Sequence, residues 1–186
     1  VHPTRQKGPH AHAVVLTPDE RYIIVPDLGL DRLMIYPVDL GSGEICGEKA
    51  SNFFVGNGKG PRICAFNQKG DRCYVFCEIS SEILTLAYHD GEFRLMQTSS
   101  SLMEPCYVEN IGADLHLSSD DKFLYASNRG QNSIVVFAVQ KGGTLQFVQT
   151  VSCEGKTPRN FTIDPSGRWL LVGNQDSDTI AVFMRD

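Results

Sequence analysis

The sequence predicts an all-β protein made of repeated four-stranded sheets, and three observations carry that expectation. Four segments align without a gap: TPDERYIIVPDLGLDRLMIY from Thr17, NQKGDRCYVFCEISSEILTL from Asn67, SSDDKFLYASNRGQNSIVVF from Ser118 and DPSGRWLLVGNQDSDTIAVF from Asp164. The apolar runs inside them are short and rich in β-branched and aromatic residues, the types that fit a pleated surface. No long stretch shows a helical period. A fourfold repeat of roughly 45–50 residues, with four short strands per unit, is the pattern of a β-propeller. A two-sheet sandwich does not account for gap-free repetition at that period.

Each unit has the same layout. A short apolar strand comes first: Ala13–Leu16, Ile63–Phe66, Leu115–Leu117 and Phe161–Ile163. A polar turn with Asp or Gly leads to a second strand: Tyr22–Val25, Cys73–Phe76, Phe123–Ala126 and Trp169–Val172. Another polar turn leads to a third: Leu33–Tyr36, Ile83–Leu86, Ile134–Phe137 and Ile180–Phe183. A less regular outer strand closes the unit, as in Ser51–Val55 and Gln146–Val151. The expected blades are 9–56, 60–100, 111–151 and 157–186, forming a single partial propeller domain over 1–186. The fourth unit reaches Asp186 before an outer strand, and three and a half blades leave open sheet edges. The first residue is Val, so the expectation is a piece of a longer or processed chain.

Composition narrows the function classes. The 186 residues are 41% hydrophobic and 21% charged, which suits a globular core. The net charge of −5 argues against a nucleic-acid partner. No apolar run approaches the ~18 residues of a membrane span, so no membrane partner is expected. Six cysteines, Cys46, Cys64, Cys73, Cys77, Cys106 and Cys153, form no C-x-x-C pair. Cys73 and Cys77 stand four apart in a strand-like run, poor spacing for zinc. The expectation is free, mostly buried thiols and a cytoplasmic location.

The repeat converts polar residues into geometry. Five positions before each unit start stand His12, Arg62, Ala113 and Arg159; eleven after stand Leu28, Glu78, Arg129 and Gln175. In an antiparallel meander the start of strand one and the end of strand two lie at the same end of the sheet. His12, Arg62, Glu78, Arg129 and Arg159 are therefore expected around one mouth of the central channel. Guanidinium forks there suit a small anionic molecule, and an imidazole and a carboxylate can move protons. The bland alternative is solvated turn residues, with Arg62 pairing Glu78 only to order a loop. His10, two residues before His12, projects to the same side.

The strings GPHAHAVVLTPDERYIIVPDLGLDR, GPRICAFNQKGDRCYVFCEISS, ADLHLSSDDKFLYASNRGQNSI and KTPRNFTIDPSGRWLLVGNQDSDTI resemble the lactonase family of seven-bladed propellers. That family includes cycloisomerase-type 6-phosphogluconolactonases and carboxy-cis,cis-muconate cyclases. The resemblance implies four blades of a seven-bladed ring and a metal-independent lactone hydrolase without a cofactor, acting on a small anionic sugar lactone. It places the family's active-site His on His12, its G-P-R arginine on Arg62, its E-x-S-S glutamate on Glu78 and its S-N-R-G arginine on Arg129. Ile63-Cys64 departs from the family pattern, in which a His often follows the Arg.

The expected roles are His12 as base, Arg62 and Arg129 as oxyanion and anion donors, and Glu78 as an orienting group or proton donor. His10 and Arg159 are expected to contact substrate. Three rivals stand beside this reading. Lactone formation, as in a muconate cyclase, would use the same groups in reverse. A metal site could recruit His10, His12 and His116. A non-enzymatic scaffold would show exposed aromatic patches instead of arginines. Exposed sheet edges also predict that the 186 residues by themselves are inactive and self-associate edge to edge.

Overall fold

The computed structural model describes residues 2–102 and 108–185, so Cys106 lies outside the described residues. In chain order the strands are β1 Val15–Leu16, β2 Tyr22–Asp27, β3 Arg32–Asp39, β4 Glu44–Ile45, β5 Ser51–Phe54, β6 Pro61–Phe66, β7 Arg72–Cys77 and β8 Glu82–His89. They continue with β9 Glu92–Ser100, β10 Ile111–Leu117, β11 Phe123–Arg129, β12 Ser133–Val139, β13 Leu145–Ser152, β14 Pro158–Ile163, β15 Trp169–Asn174 and β16 Thr179–Met184. Two single-turn 3-10 segments, Gly47–Lys49 and Gln175–Ser177, are the only helical residues among those described.

The strands form four antiparallel sheets, each in sequence order: β1-β2-β3-β5, β6-β7-β8-β9, β10-β11-β12-β13 and β14-β15-β16. This is the expected partial propeller. The small hairpin strand β4 pairs only with the end of β3 and was not anticipated. The first turn of every unit closes the same way. The N–H of Glu20, Gly70, Asp121 and Gly167 donates to the carbonyl of Thr17, Asn67, Ser118 and Asp164. All four donors have positive φ, a conformation that Gly, Asp and Asn tolerate best.

The second turn also repeats, with Asp31, Ser81, Asn132 and Asp178 all at φ between 52° and 55°. Its side chains reach the next sheet. Asp31 accepts the N–H of Gly58 and Gly60, each at 2.7 Å, and Asn132 accepts that of Thr157 at 2.9 Å. These bonds tie consecutive sheets together at one end.

The core lies between sheets rather than within one. Cys73, Val75 and Cys77 of β7 pack with Ile24, Leu33 and Ile35 of the first sheet. The alternate residues Tyr74 and Phe76 pack with Leu115, Leu124 and Ala126 of the third. A third cluster joins Tyr125 and Ile134 to Phe161, Leu170 and Val172. Strand β7 is buried on both faces, which is why RCYVFC reads as a nearly continuous apolar run. Among the described cysteines all are free, with Cys64, Cys73, Cys77 and Cys153 buried and Cys46 half-buried.

One strand differs from expectation. Ala13 and Val14 do not pair, so β1 is only Val15–Leu16. Ahead of it the chain keeps single contacts to β2: an Ala11–Asp27 bridge, His12 N–H to the Pro26 carbonyl and Leu28 N–H to the His10 carbonyl. The same slip recurs in the other sheets, between Pro61 and Ile63, Gly112 and Leu115, and Pro158 and Asn160. Every inner strand therefore carries one extra residue at the same end.

Candidate active site

Those irregularities position the site. The residue at each slip is the one the repeat singles out: His12, Arg62, Ala113 beside Asp114, and Arg159. A β-bulge inserts an unpaired residue and re-aims its side chain. The repeat thus points His12 and Arg62 from neighbouring sheets at one place, with Arg159 beyond.

Glu78 occupies that place. It follows β7 directly, its N–H donates to the Gly60 carbonyl at 2.7 Å, and its own carbonyl accepts from Gly112 at 2.9 Å. Gly112 is needed there, because a Cβ would meet the Phe76 ring at 2.6 Å. The Glu78 side chain is 0% exposed and holds three guanidiniums: Arg62 Nη1 at 2.6 Å and Arg129 Nη2 at 2.9 Å on Oε2, and Arg5 Nη2 on Oε1. Arg62 and Arg129 are also clamped to backbone. Arg62 Nε donates to the Ala113 carbonyl at 2.8 Å, and Arg129 Nη2 to the Gly112 carbonyl at 2.6 Å. Arg129 is the last residue of β11 rather than part of the following turn.

The electrostatics follow from burial. Desolvation alone would raise the Glu78 pKa, but the charges of Arg129, Arg62 and Arg5 outweigh it and hold the carboxyl below its ordinary range. For His12, burial first and then the Arg62 charge lower the pKa from 6.5 to about 4, against a smaller opposing pull from Glu78. His12 is therefore a neutral imidazole at neutral pH. Arg62 Nη1 lies 3.3 Å from both of its ring nitrogens. Glu78 Oε2 is 3.8 Å from His12 Nε2, too long for a hydrogen bond.

His10 stacks on His12 with ring centroids 4.5 Å apart, and its backbone N–H is fixed by Asp27 Oδ1 at 2.8 Å. Arg159 does not join the Glu78 cluster. It is exposed, and among the described residues its side chain reaches only Gln175 Oε1, at 3.3 Å. It does share an open depression with Arg62, Asn160, Gln175 and Thr179. His116 lies elsewhere, 3.1 Å from Asp114 Oδ2 and edge-on to Phe161. Asp114 Oδ2 also accepts from Asn160 Nδ2 and Phe161 N–H. Among the described residues no group of three or more His, Cys, Asp or Glu side chains is arranged to hold a metal ion. Arg5 was not anticipated. It precedes the first repeat unit, so no register points to it.

A family model described as "Lactonase, 7-bladed beta-propeller" matches residues 1–186. The chain belongs to this lactonase family. The 6-phosphogluconolactonase of Bacillus subtilis is 38% identical over 185 residues, covering 98% of this chain and 52% of its own length. A 6-phosphogluconolactonase of Formosa agariphila is 37% identical over 187 residues, with 97% and 52% coverage. Among solved structures, a periplasmic gluconolactonase of Pseudomonas aeruginosa superposes with a TM-score of 0.94 at 37% identity, over 100% of this chain and 52% of that one. The chain spans about half the length of the curated relatives it matches. Within the lactonase family, then, this chain carries four consecutive sheets of the propeller and a candidate site built largely from three of them.

Proposed function

We propose that this protein is a metal-independent hydrolase of small anionic sugar lactones, of the 6-phosphogluconolactonase type. The observation that carries the reading is a neutral imidazole, His12, held beside guanidiniums anchored on one buried carboxylate. The names of its relatives, 6-phosphogluconolactonase and gluconolactonase, support hydrolysis over ring closure.

The steps follow from the groups present. His12 takes a proton from water as the water oxygen adds to the lactone carbonyl carbon. The carbonyl oxygen becomes an oxyanion, stabilised by guanidinium N–H groups of Arg62 and Arg129. Collapse of the adduct breaks the ring C–O bond, and the leaving alkoxide takes the proton back from His12. The product is an open hydroxy acid, which loses its carboxyl proton to solvent. An imidazole whose pKa is about 4 is a weak base but a strong acid once protonated, which suits the second transfer. Glu78 acts as a positioning residue. Its two oxygens are taken by three arginines, and its low pKa keeps it from donating a proton at neutral pH. His10 and Arg159 line the approach and contact substrate.

The test is hydrolysis of 6-phosphogluconolactone by the purified protein before and after exhaustive chelation. Equal rates support the reading, and activity that is lost and then restored by a divalent ion overturns it. A cytoplasmic location is part of the same proposal and rests on the free thiols. No helix among the described residues is long and apolar enough to cross a membrane. The Pseudomonas neighbour is named as periplasmic, so fractionation of cells decides between the compartments. We also infer that these 186 residues self-associate through the last sheet, where Ile180, Val182 and Met184 expose one apolar face. Mass in solution checks this: a stable monomer at micromolar concentration removes it.

A further inference from the structure

We propose that Arg5 is the exchangeable cation of the site: it pairs with Glu78 in this structure and turns to the anionic group of the bound lactone. The inference rests on the reading of this mouth as a lactone site and names the residue that selects the substrate's charge.

The three guanidiniums around Glu78 are not equivalent. Arg62 and Arg129 come from strand ends, have side chains 14% and 9% exposed, and are each clamped to a backbone carbonyl as well as to Glu78. The Arg5 side chain is 33% exposed, and its only partner among the described residues is Glu78 Oε1. Its Nε is buried with no hydrogen-bond partner, as is the Nε of Arg129. Buried guanidinium N–H groups without partners are costly and mark unused donor capacity. Two such donors flank the same carboxylate.

The backbone beneath Arg5 is fixed, however. Its N–H faces His2 Nδ1 at 3.3 Å. The next residue, Gln6, is buried and donates from Nε2 to the Leu28 carbonyl at 2.8 Å and to Asp31 Oδ1 at 2.7 Å. Past Gln6 the segment runs so close to the first sheet that a Cβ on Gly29 would overlap the Gly8 carbonyl oxygen at 1.8 Å. The segment is a strap nailed down at Gln6, carrying one arm with a single attachment. If that arm leaves, Glu78 Oε1 gives up its guanidinium, but Oε2 keeps Arg62 at 2.6 Å and Arg129 at 2.9 Å, so the buried charge stays paired. The exchange trades one ion pair for another and delivers a planar fork to a phosphate or carboxylate.

The test uses Arg5→Met and Arg5→Lys, with thermal melts to confirm folding. Calorimetric titration with 6-phosphogluconate reads anion binding without turnover, and kinetics compare 6-phosphogluconolactone with unphosphorylated gluconolactone. In Arg5→Met, we expect 6-phosphogluconate affinity to fall about tenfold or more. KM for the phosphorylated lactone should rise by about ten times more than KM for the neutral one. Arg5→Lys should recover part of both, since it returns the charge without the fork; if Arg5→Met does not fold, this variant carries the test alone through its intermediate affinity. Wild-type anion binding in both variants, no anion binding in the wild type, or equal losses for both lactones would overturn the proposal. Arg5-dependent anion binding in a protein that opens neither lactone would sink the hydrolase reading and leave this one standing. Turnover with anion binding indifferent to Arg5 would do the reverse.

Discussion

Arg62 and Arg159 hold the same position in the second and fourth sheets, each on the extra residue of its inner strand. Yet Arg62 is clamped by Glu78, by the Ala113 carbonyl and against His12, whereas among the described residues the Arg159 side chain hydrogen-bonds only to Gln175. The difference lies in the neighbours. Eleven residues after the unit start, the second sheet supplies Glu78 and the fourth supplies Gln175. The third sheet follows the second and offers the Ala113 carbonyl to Arg62 Nε, whereas among the described residues no sheet follows the fourth to face Arg159. Register decides where a side chain points, and the facing sheet decides whether it becomes a buried ion pair or a solvated arm.

The largest effect should come from erasing what makes the second sheet special. Glu78→Gln leaves Arg62 and Arg129 without their counter-charge in a buried site, which typically costs about 3–5 kcal/mol. Urea unfolding of the variant should show a loss of that size; a change below about 1 kcal/mol would mean the carboxylate is not what holds the cluster. The pH dependence has a definite sign. Glu78 has a folded pKa below its ordinary 4.5, so its stabilisation is present above that value and is lost as pH falls through the folded pKa. His12 acts in the same direction: the unfolded chain takes up its proton near pH 6.5, the folded one only near 4, so stability falls across that window on acidification. Glu78→Gln should flatten the lower part of the curve and His12→Ala the upper part.

His12→Ala comes next. Loss of a general base typically lowers kcat by about 10²–10⁴-fold. The wild-type rate should stay level through pH 6.5 and decline only as pH approaches 4, because that is where the folded imidazole takes up its proton. A decline centred near 6.5 instead would show that the titrating group is not His12 in this environment.

Much of this arrangement is written in the repeat. The four sheets, their polar turns and the convergence of His12, Arg62, Glu78 and Arg129 follow from alternation and a fixed period. What could not be read has physical causes. A bulge is a count of backbone pairings, and the strings GPHAHA and GPRI carry no mark of the extra residue; in this chain the first inner strand lost Ala13 and Val14 to it. Arg5 lies outside the repeat, so periodicity is silent about it. The unlike fates of Arg62 and Arg159 depend on contacts between residues 51 positions apart, such as Arg62 with Ala113, which no local pattern encodes.

The finest test of the comparison sets Arg62→Ala against Arg159→Ala. Removing Arg62 takes one of three guanidiniums from the buried Glu78 carboxylate and withdraws the donor beside His12, so both stability and kcat should fall, stability by about 1.5–3 kcal/mol for the lost charge-assisted bond. Removing Arg159 breaks one long, exposed contact, so the unfolding free energy should stay within the scatter of surface substitutions, about 0.5 kcal/mol. Its effect should appear in KM alone, at up to about tenfold, because an exposed guanidinium at the rim binds ground state and transition state alike. The depression it shares with Arg62 makes the comparison internal to one surface. Should Arg159→Ala lower kcat as steeply as Arg62→Ala, the fourth sheet would be reaching the reacting atoms, and the ranking of the two arginines by their clamps would be wrong.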